Sequence, residues 1–530
     1  MGKAFSGLAV VLLLATATAG AAQEPAAEPG VSTIHYRPGE GNLGDVQVFF
    51  WKGQYHVFYI GGAIWEHVVS DDLVHWKQLP TAIGLTGEER ADGHYCIWSG
   101  SIVEHNGTFH AFYTDGGPVD RADGSQAIAH AVSEDLTTWT KLPEHTFVGD
   151  GIHYWSKAKN PPLKRMDDDQ SFRDPEVFWN EDEEVWMMVF VARDLKTHYH
   201  VHGLATSKDL YQWEQQDYIN KMPIRHVDCP DIVKIGKRWY LLFDHCMYKV
   251  ADNIRGPYEP ENPLQFETPW ICVPRVMFDG RRQVLAAGWI SDMYDNRDDS
   301  ILQWGGTLGI SRELYAAADG TLLQKPVPEI IAAYTKTVLA LRQKPELSFG
   351  YKPNAEDTPW KYNDAGQLAG GQNSNPFYHG DDKGYLSYKI RSCSFDVPED
   401  YMMHCRFQLQ PGIWQDDPHG RSCFTITVRQ PENALGGYHL IYYPSKGEIE
   451  VKTRQIGHHR KCAVDPSKPI DVRVFVTGSV IEWFVNDAYA FTMRGYDYTE
   501  GQLSFTTARC AVNITDLTVK VAGKNGNENR

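Results

Sequence analysis

The stretch Asn42–Ile60, NLGDVQVFFWKGQYHVFYI, decides the fold. One carboxylate, Asp45, precedes an alternating apolar run; a Lys52-Gly53-Gln54 turn follows, then a second alternating run. Period-two alternation on both sides of a glycine turn predicts a β-hairpin. The chain repeats it. Asn106-Gly107 carries the same turn before TFHAFY (Thr108–Tyr113), Gly236 sits within IVKIGKRWYLLF, and Asp279-Gly280 within VMFDGRRQVLAAGW. A glycine-less copy, VFWNEDEEVWMMVF, lies between them. A second unit follows three of the hairpins: SDDLVHW (Ser70–Trp76), SEDLTTW (Ser133–Trp139) and SKDLYQW (Ser207–Trp213). Internal repeats of about four strands per unit point to a β-propeller rather than a sandwich. Five hairpin copies predict five blades.

The polar residues upstream of each turn share a register. Asp45 stands eight positions before Gly53, and Asp228 eight before Gly236. Asp174 occupies the equivalent place before Asp182, and Trp98-Ser99-Gly100 the place before Gly107. In a propeller that register belongs to the innermost strands, so three aspartates from blades one, three and four would converge on the central funnel. Taken singly, each aspartate is as readily a turn former or half of an ion pair. The common register argues for chemistry.

Around this block, Met1 to about Ala22 has the makings of a secretory signal: Lys3, an apolar core Leu8–Ala15 and the small residues Ala19-Gly20-Ala21. That apolar run is too short to span a bilayer, and export of a soluble protein to the periplasm or exterior is expected. Residues 31–320 form the expected propeller, 321–382 a helix and linker, and 383–523 a second domain. Leu322–Gln343 is the best helix candidate, and the Pro-, Gly- and Asn-rich stretch after Tyr351 reads as loop. From Gly384 to Val521, strands such as HCRFQLQ, CFTITVRQ, YHLIYY and SVIEWFVN predict an antiparallel β-sandwich. The fold class is therefore all-β.

The chain carries a net charge of −17, without a basic cluster, which argues against nucleic acid or an anionic membrane as partner. A neutral sugar is compatible, and 12% aromatic residues supply faces on which sugars stack. Nine scattered cysteines have no CxxC spacing, and their odd number leaves at least one free. His198, His200 and His202 alternate in HYHVH, on one face of a strand, too far apart to close a metal tetrahedron unaided. Neither a metal nor another cofactor is expected. GxSxG, HExxH and phosphate-loop motifs are missing, and nothing in the sequence bears on oligomeric state.

Together these motifs resemble glycoside hydrolase family 32, the invertases, inulinases and levanases, as a divergent member. GDVQVFFWKGQYHVFY is similar to the family's Asn-Asp-Pro-Asn-Gly segment and hairpin. WEHVVSDDLVHWKQLPTAI (Trp65–Ile83) resembles its Trp-Gly-His stretch and the Ser-x-Asp-Leu-x-His-Trp that follows. Trp98-Ser99-Gly100-Ser101 matches Trp-Ser-Gly-Ser, Phe172-Arg173-Asp174-Pro175 matches Arg-Asp-Pro, and Asp228-Cys229-Pro230-Asp231 matches Glu-Cys-Pro-Asp. The resemblance implies Asp45 as nucleophile, Asp174 as transition-state stabiliser and Asp228 as acid/base. It implies sugar contacts at Gln47, Trp65, Trp98, Ser99, Arg173 and Cys229, and retaining hydrolysis of β-fructofuranosides. An acid in that role needs a raised pKa, which burial beside two other carboxylates would supply.

Two departures stand out. Val46 and Gln47 replace the family's proline and asparagine, and Asp228 replaces its glutamate, shortening the acid by about 1.5 Å. An arabinofuranosidase-like propeller enzyme and a carbohydrate-binding protein without turnover are the alternatives these departures leave open.

Overall fold

A computed structural model describes residues 34–523, apart from 88, 90–94, 118–125, 162–170, 223–226, 287, 348–359, 371–391, 433–435 and 454–455. The leader-like segment lies outside the described residues. Blades I to IV are four-stranded antiparallel meanders: Val46–Ile83, Ile97–Lys141, Arg173–Lys221 and Asp231–Gln265. Blade V pairs Arg275–Phe278, Gln283–Ala286, Arg312–Ala316 and Leu322–Pro326. Five blades are thus present, the last running to Pro326 rather than ending near Gly320. Between its second and third strands, Trp289–Met293 and Leu302–Leu308 fold out and join Ile271–Cys272 in a three-stranded sheet.

The ring closes through the N-terminal segment. Leu43 bridges Gly306, whose N–H donates to the Leu43 carbonyl at 2.9 Å, and the Leu308 N–H donates to the Tyr36 carbonyl. The first strands pack around the axis: that of blade I against those of blades II and V, and that of blade II against that of blade III. Buried Val, Leu, Phe and Met side chains fill the spaces between neighbouring blades.

The Ser-x-Asp-Leu-x-x-Trp repeat has a mechanical meaning. In each copy the serine Oγ accepts the N–H of the leucine (2.8–2.9 Å) while the aspartate Oδ1 accepts two further N–H groups. Leu73, Leu136 and Leu210 take φ of +63°, +65° and +68° and are buried. The side-chain hydrogen bonds and the leucine anchor over-determine a backbone that a leucine alone would avoid. Each motif turns the chain from the third strand of its blade into the fourth.

The expected helix over Leu322–Gln343 is not formed. Leu322–Pro326 completes blade V, only Pro328–Ala333 is α-helical, and Lys336–Ala340 pairs with the strand Val512–Val521. Strand partners at both ends and β-branched Thr335, Thr337 and Val338 override the helical spacing. The second domain is a sandwich of two antiparallel sheets. One is centred on Tyr401–Leu409 and Val512–Val521, the other on Cys423–Gln430 and Gln502–Ala508, with Phe407, Phe424, Trp483 and Phe505 between them. All nine cysteines are free thiols, seven of them buried.

The sandwich is locked to the propeller by buried ions. Arg312 of blade V pairs with Glu267 and with Glu482 of the sandwich, all three side chains 0% exposed. Arg494 of the sandwich meets Asp292 at 2.8 Å and donates to Thr307 Oγ1 at 2.8 Å.

Candidate active site

Asp45 immediately precedes the inner strand of blade I. The Gly44 N–H donates to the Ile60 carbonyl and the Ile60 N–H to the Asp45 carbonyl, both at 3.0 Å, fixing where the carboxylate points. Its Oδ2 accepts from Ser99 Oγ at 2.5 Å and its Oδ1 from Trp289 Nε1 at 3.0 Å. The Cys229 thiol points at the same Oδ2 from 3.6 Å. Burial pushes the Asp45 carboxyl above the ordinary aspartate range, and these donors pull it partly back.

Two β-bulges aim the neighbouring side chains. In blade II the pairing slips between Ile97 and Gly100, leaving Trp98 and Ser99 as the extra turn of chain. Gly100 is obligatory there, because a Cβ would stand 1.9 Å from the Phe112 carbonyl oxygen. In blade III the slip falls between Val189 and Val191, opposite Asp174, which takes φ +57°. That strained backbone turns the carboxylate into the funnel, and Thr114 holds it by accepting the Asp174 N–H at 2.8 Å.

Asp174 is 3% exposed, and its Oδ2 accepts the Cys229 N–H at 3.0 Å. Its carboxyl titrates above the ordinary range: burial dominates, the adjacent Arg173 opposes, and Asp228 and Asp45 add to the rise. Arg173 Nε lies 3.3 Å from Asp174 Oδ2, and its Nη2 pairs with Asp228 Oδ1. Arg173 is itself braced: Nη1 donates to Ser171 Oγ at 2.5 Å, and Ser171 Oγ lies 2.9 Å from His200 Nε2. A continuous chain of contacts therefore runs Asp45–Cys229–Asp174–Arg173–Asp228.

The three aspartates converge as their register required. Asp228, however, is not buried with the other two; its side chain is 45% exposed at the mouth of the funnel. Of the expected sugar contacts, Arg173 and Trp98 are partly open to the funnel, Trp98 lying against Gly116. Ser99 and Cys229 are buried and spend their polar atoms on Asp45 and Asp174. Gln47 and Trp65 are buried as well. Trp65 is 0% exposed and donates to the Trp98 carbonyl at 2.8 Å; Gln47 is 1% exposed and donates to the Asp45 carbonyl at 3.2 Å. Both brace the segments that carry the site.

Sequence reasoning missed three residues. Trp289 closes the fifth hairpin copy, and Trp304 presses so closely on Gly44 that a Cβ there would lie 2.2 Å from the ring. Trp304 is 46% exposed and its ring sits 6.0 Å from that of Trp289, an open aromatic face beside Asp45. Thr114 is the third. The three histidines do not share one face: His198 precedes the strand with φ +58°, while His200 and His202 lie within it and bond to Ser171 and the Val227 carbonyl. Among the described residues no cluster of three or more His, Cys, Asp or Glu side chains could hold a metal.

Comparison with known proteins supplies independent support for the family resemblance. Residues 35–258 match the model of the glycosyl hydrolases family 32 N-terminal domain, and residues 388–521 that of the family's C-terminal domain. A levanase of Bacillus sp. (strain L7) is 29% identical over 342 residues, 56% of this chain and 34% of that protein. A sucrose-6-phosphate hydrolase of Escherichia coli is 28% identical over 340 residues, 56% of this chain and 64% of that protein. The chain thus spans about a third to two-thirds of the length of these curated relatives. Fructan 1-exohydrolase IIa from Cichorium intybus superposes with a TM-score of 0.66 at 17% identity, covering 94% of this chain and 98% of that one. Exo-inulinase from Aspergillus awamori does so at 0.64 and 17%, covering 94% and 99%. With both domain models matched in order, and with the propeller, the sandwich and the Trp-Ser-Gly-Ser and Arg-Asp-Pro segments in place, the chain belongs to glycosyl hydrolases family 32.

Proposed function

We propose that this chain is an exported, exo-acting glycoside hydrolase that cleaves terminal furanosides, β-fructofuranosides first, by a retaining double displacement. The observation that carries the reading is the convergence of three aspartates from blades I, III and IV, one anchored, one buried and one open. The relatives named for levan and sucrose 6-phosphate support the sugar class, and the leader-like Met1–Ala22 supports export.

In this mechanism Asp45 attacks the anomeric carbon while Asp228 gives its proton to the departing glycosidic oxygen, so that one C–O bond forms as another breaks. Asp228 then takes a proton from the water that displaces Asp45 and regenerates both groups. Asp228 is the member of the three with the exposure to reach a leaving group and water. Asp45 is held on both oxygens by neutral donors that orient it without cancelling its charge. Asp174 and Arg173 bracket the space where ring hydroxyls would bind, and the open face of Trp304 would stack on a sugar.

The test is sugar release from sucrose, inulin, levan and aryl furanosides by wild type, Asp45→Ala and Asp228→Ala. Fructose release lost in both variants is the expected result. Release of arabinose would keep the mechanism and change the substrate. Tight sugar binding without turnover, indifferent to Asp45→Ala, would overturn the enzyme reading.

A further inference from the structure

Beneath the three aspartates the funnel holds a second cation that the mechanism does not use. Arg275 opens the inner strand of blade V, and its side chain is 2% exposed. Its Nη1 donates to Glu176 Oε2 of blade III at 3.1 Å and to the Pro230 carbonyl that leads into blade IV. Asp231, the next residue, accepts the Val276 N–H at 2.7 Å. One guanidinium thus ties the inner strands of three blades together one layer below the pocket. Its Nε and Nη2 have no hydrogen-bond partner among the described residues.

The charges of the funnel give this arrangement a consequence. Five carboxyl groups (Asp45, Asp174, Asp228, Glu176 and Asp231) share two guanidiniums. Arg173 is committed at the mouth to Asp174 and Asp228. Among the described residues the Asp45 carboxylate takes its hydrogen bonds from neutral donors, Ser99, Trp289 and Cys229. Among the described residues the ionisable groups coupled to it include Asp174 of blade III, Cys229 just before blade IV, Arg275 of blade V and Cys272 of the three-stranded sheet beside it; Arg275 is the cation among these. Burial pushes Glu176 and Asp231 upward while Arg275 opposes the rise, so the guanidinium holds this lower layer of carboxyl groups as well.

We propose that Arg275 is a positioning residue for the reaction: it fixes the inner strands of three blades beneath the pocket and supplies the positive field in which Asp45 works as an anion. The proposal rests on Asp45 being the nucleophile. Without Arg275, the carboxyl group of Asp174 remains beside Asp45, and its charge repels.

The experiment is the pH profile of kcat/KM for wild type, Arg275→Lys and Arg275→Gln on whichever furanoside wild type hydrolyses. Asp45 is titrated in parallel, without turnover, by ¹³C NMR of carboxyl-labelled aspartate, with Asp45→Ala to assign the signal. Arg275→Gln is expected to move the acid limb and the Asp45 titration up by about one pH unit, the low end of what a nearby opposite charge does. Arg275→Lys is expected to hold both near wild type. Should the single variant fail to fold, Glu176→Gln/Arg275→Gln removes the cation together with its buried partner, and an upward shift smaller than that of Arg275→Gln is expected. A folded charge-free variant whose Asp45 titration stays at the wild-type position would overturn the proposal. Absence of turnover in wild type would instead count against the hydrolase reading, and the NMR titration would still decide the role of Arg275.

Discussion

Asp228 is where a single side chain sets the behaviour of the site. It is one methylene shorter than the glutamate of the family pattern, open to solvent, and paired with Arg173. Arg173 is anchored through Ser171 to His200, so the partner that holds Asp228 is itself fixed, and in the proposed mechanism a longer acid there would be displaced. Asp228→Glu should therefore lower kcat/KM by about a hundredfold, the usual penalty for misplacing a reacting group by about 1 Å. Asp228→Asn should cost about 10²- to 10⁴-fold on substrates with poor leaving groups and much less on activated aryl furanosides. Steady-state kinetics on both substrate types checks this. The three aspartates were legible from their distance to each hairpin turn, because strand register carries spatial information. The exposure of Asp228 and the partnership of Trp289 with Asp45 were not, since both depend on where separate blades meet. The burial of Trp65 and Gln47 was hidden for the same reason: sequence marks them as near the site but not on which side of the backbone.

At the scale of the element, the blades are held by devices that recur. Blade I stacks His67 on Phe58 and joins it to His56, ring nitrogens 3.0 Å apart; blade II repeats this with His130, Phe112 and His110, also 3.0 Å. Burial lowers His56 and His110 to about 4, and His67 and His130 to about 3, from an ordinary 6.5. At these four sites the unfolded chain therefore binds more protons than the folded one below about pH 6.5, and their contribution to stability falls as pH drops from there through about 4. In His56→Gln/His110→Gln the pH slope of stability between pH 6 and 4.5 should lessen by about one proton per residue replaced, read from denaturant midpoints. The Ser-x-Asp-Leu-x-x-Trp turns were visible as repeats because their chemistry is local. The helix expected over Leu322–Gln343 failed because its neighbours are not: blade V and the sandwich each claim part of that segment as a strand.

Across the whole molecule, two couplings matter. The first is the buried Glu267–Arg312–Glu482 ion group between propeller and sandwich, to which His35 adds a 2.8 Å contact with Glu482. Arg312→Met leaves two buried carboxylates uncompensated and should destabilise by about 3–5 kcal/mol, measured by chemical denaturation. The exposed large apolar side chains of the described residues lie on the propeller apart from Val338. The second coupling is ring closure. Trp289 and Trp304 belong to the sheet that the N-terminal segment seals, so the anchor of Asp45 exists only in the closed propeller. The most direct measurement of the central claim is peptide mapping after rapid quench of Asp228→Ala turning over an activated aryl furanoside. Without its base, water attacks slowly and the covalent intermediate should accumulate. The account predicts a furanosyl ester on Asp45. An adduct on any other residue, or full turnover with no adduct in both this variant and Asp45→Ala, would contradict it.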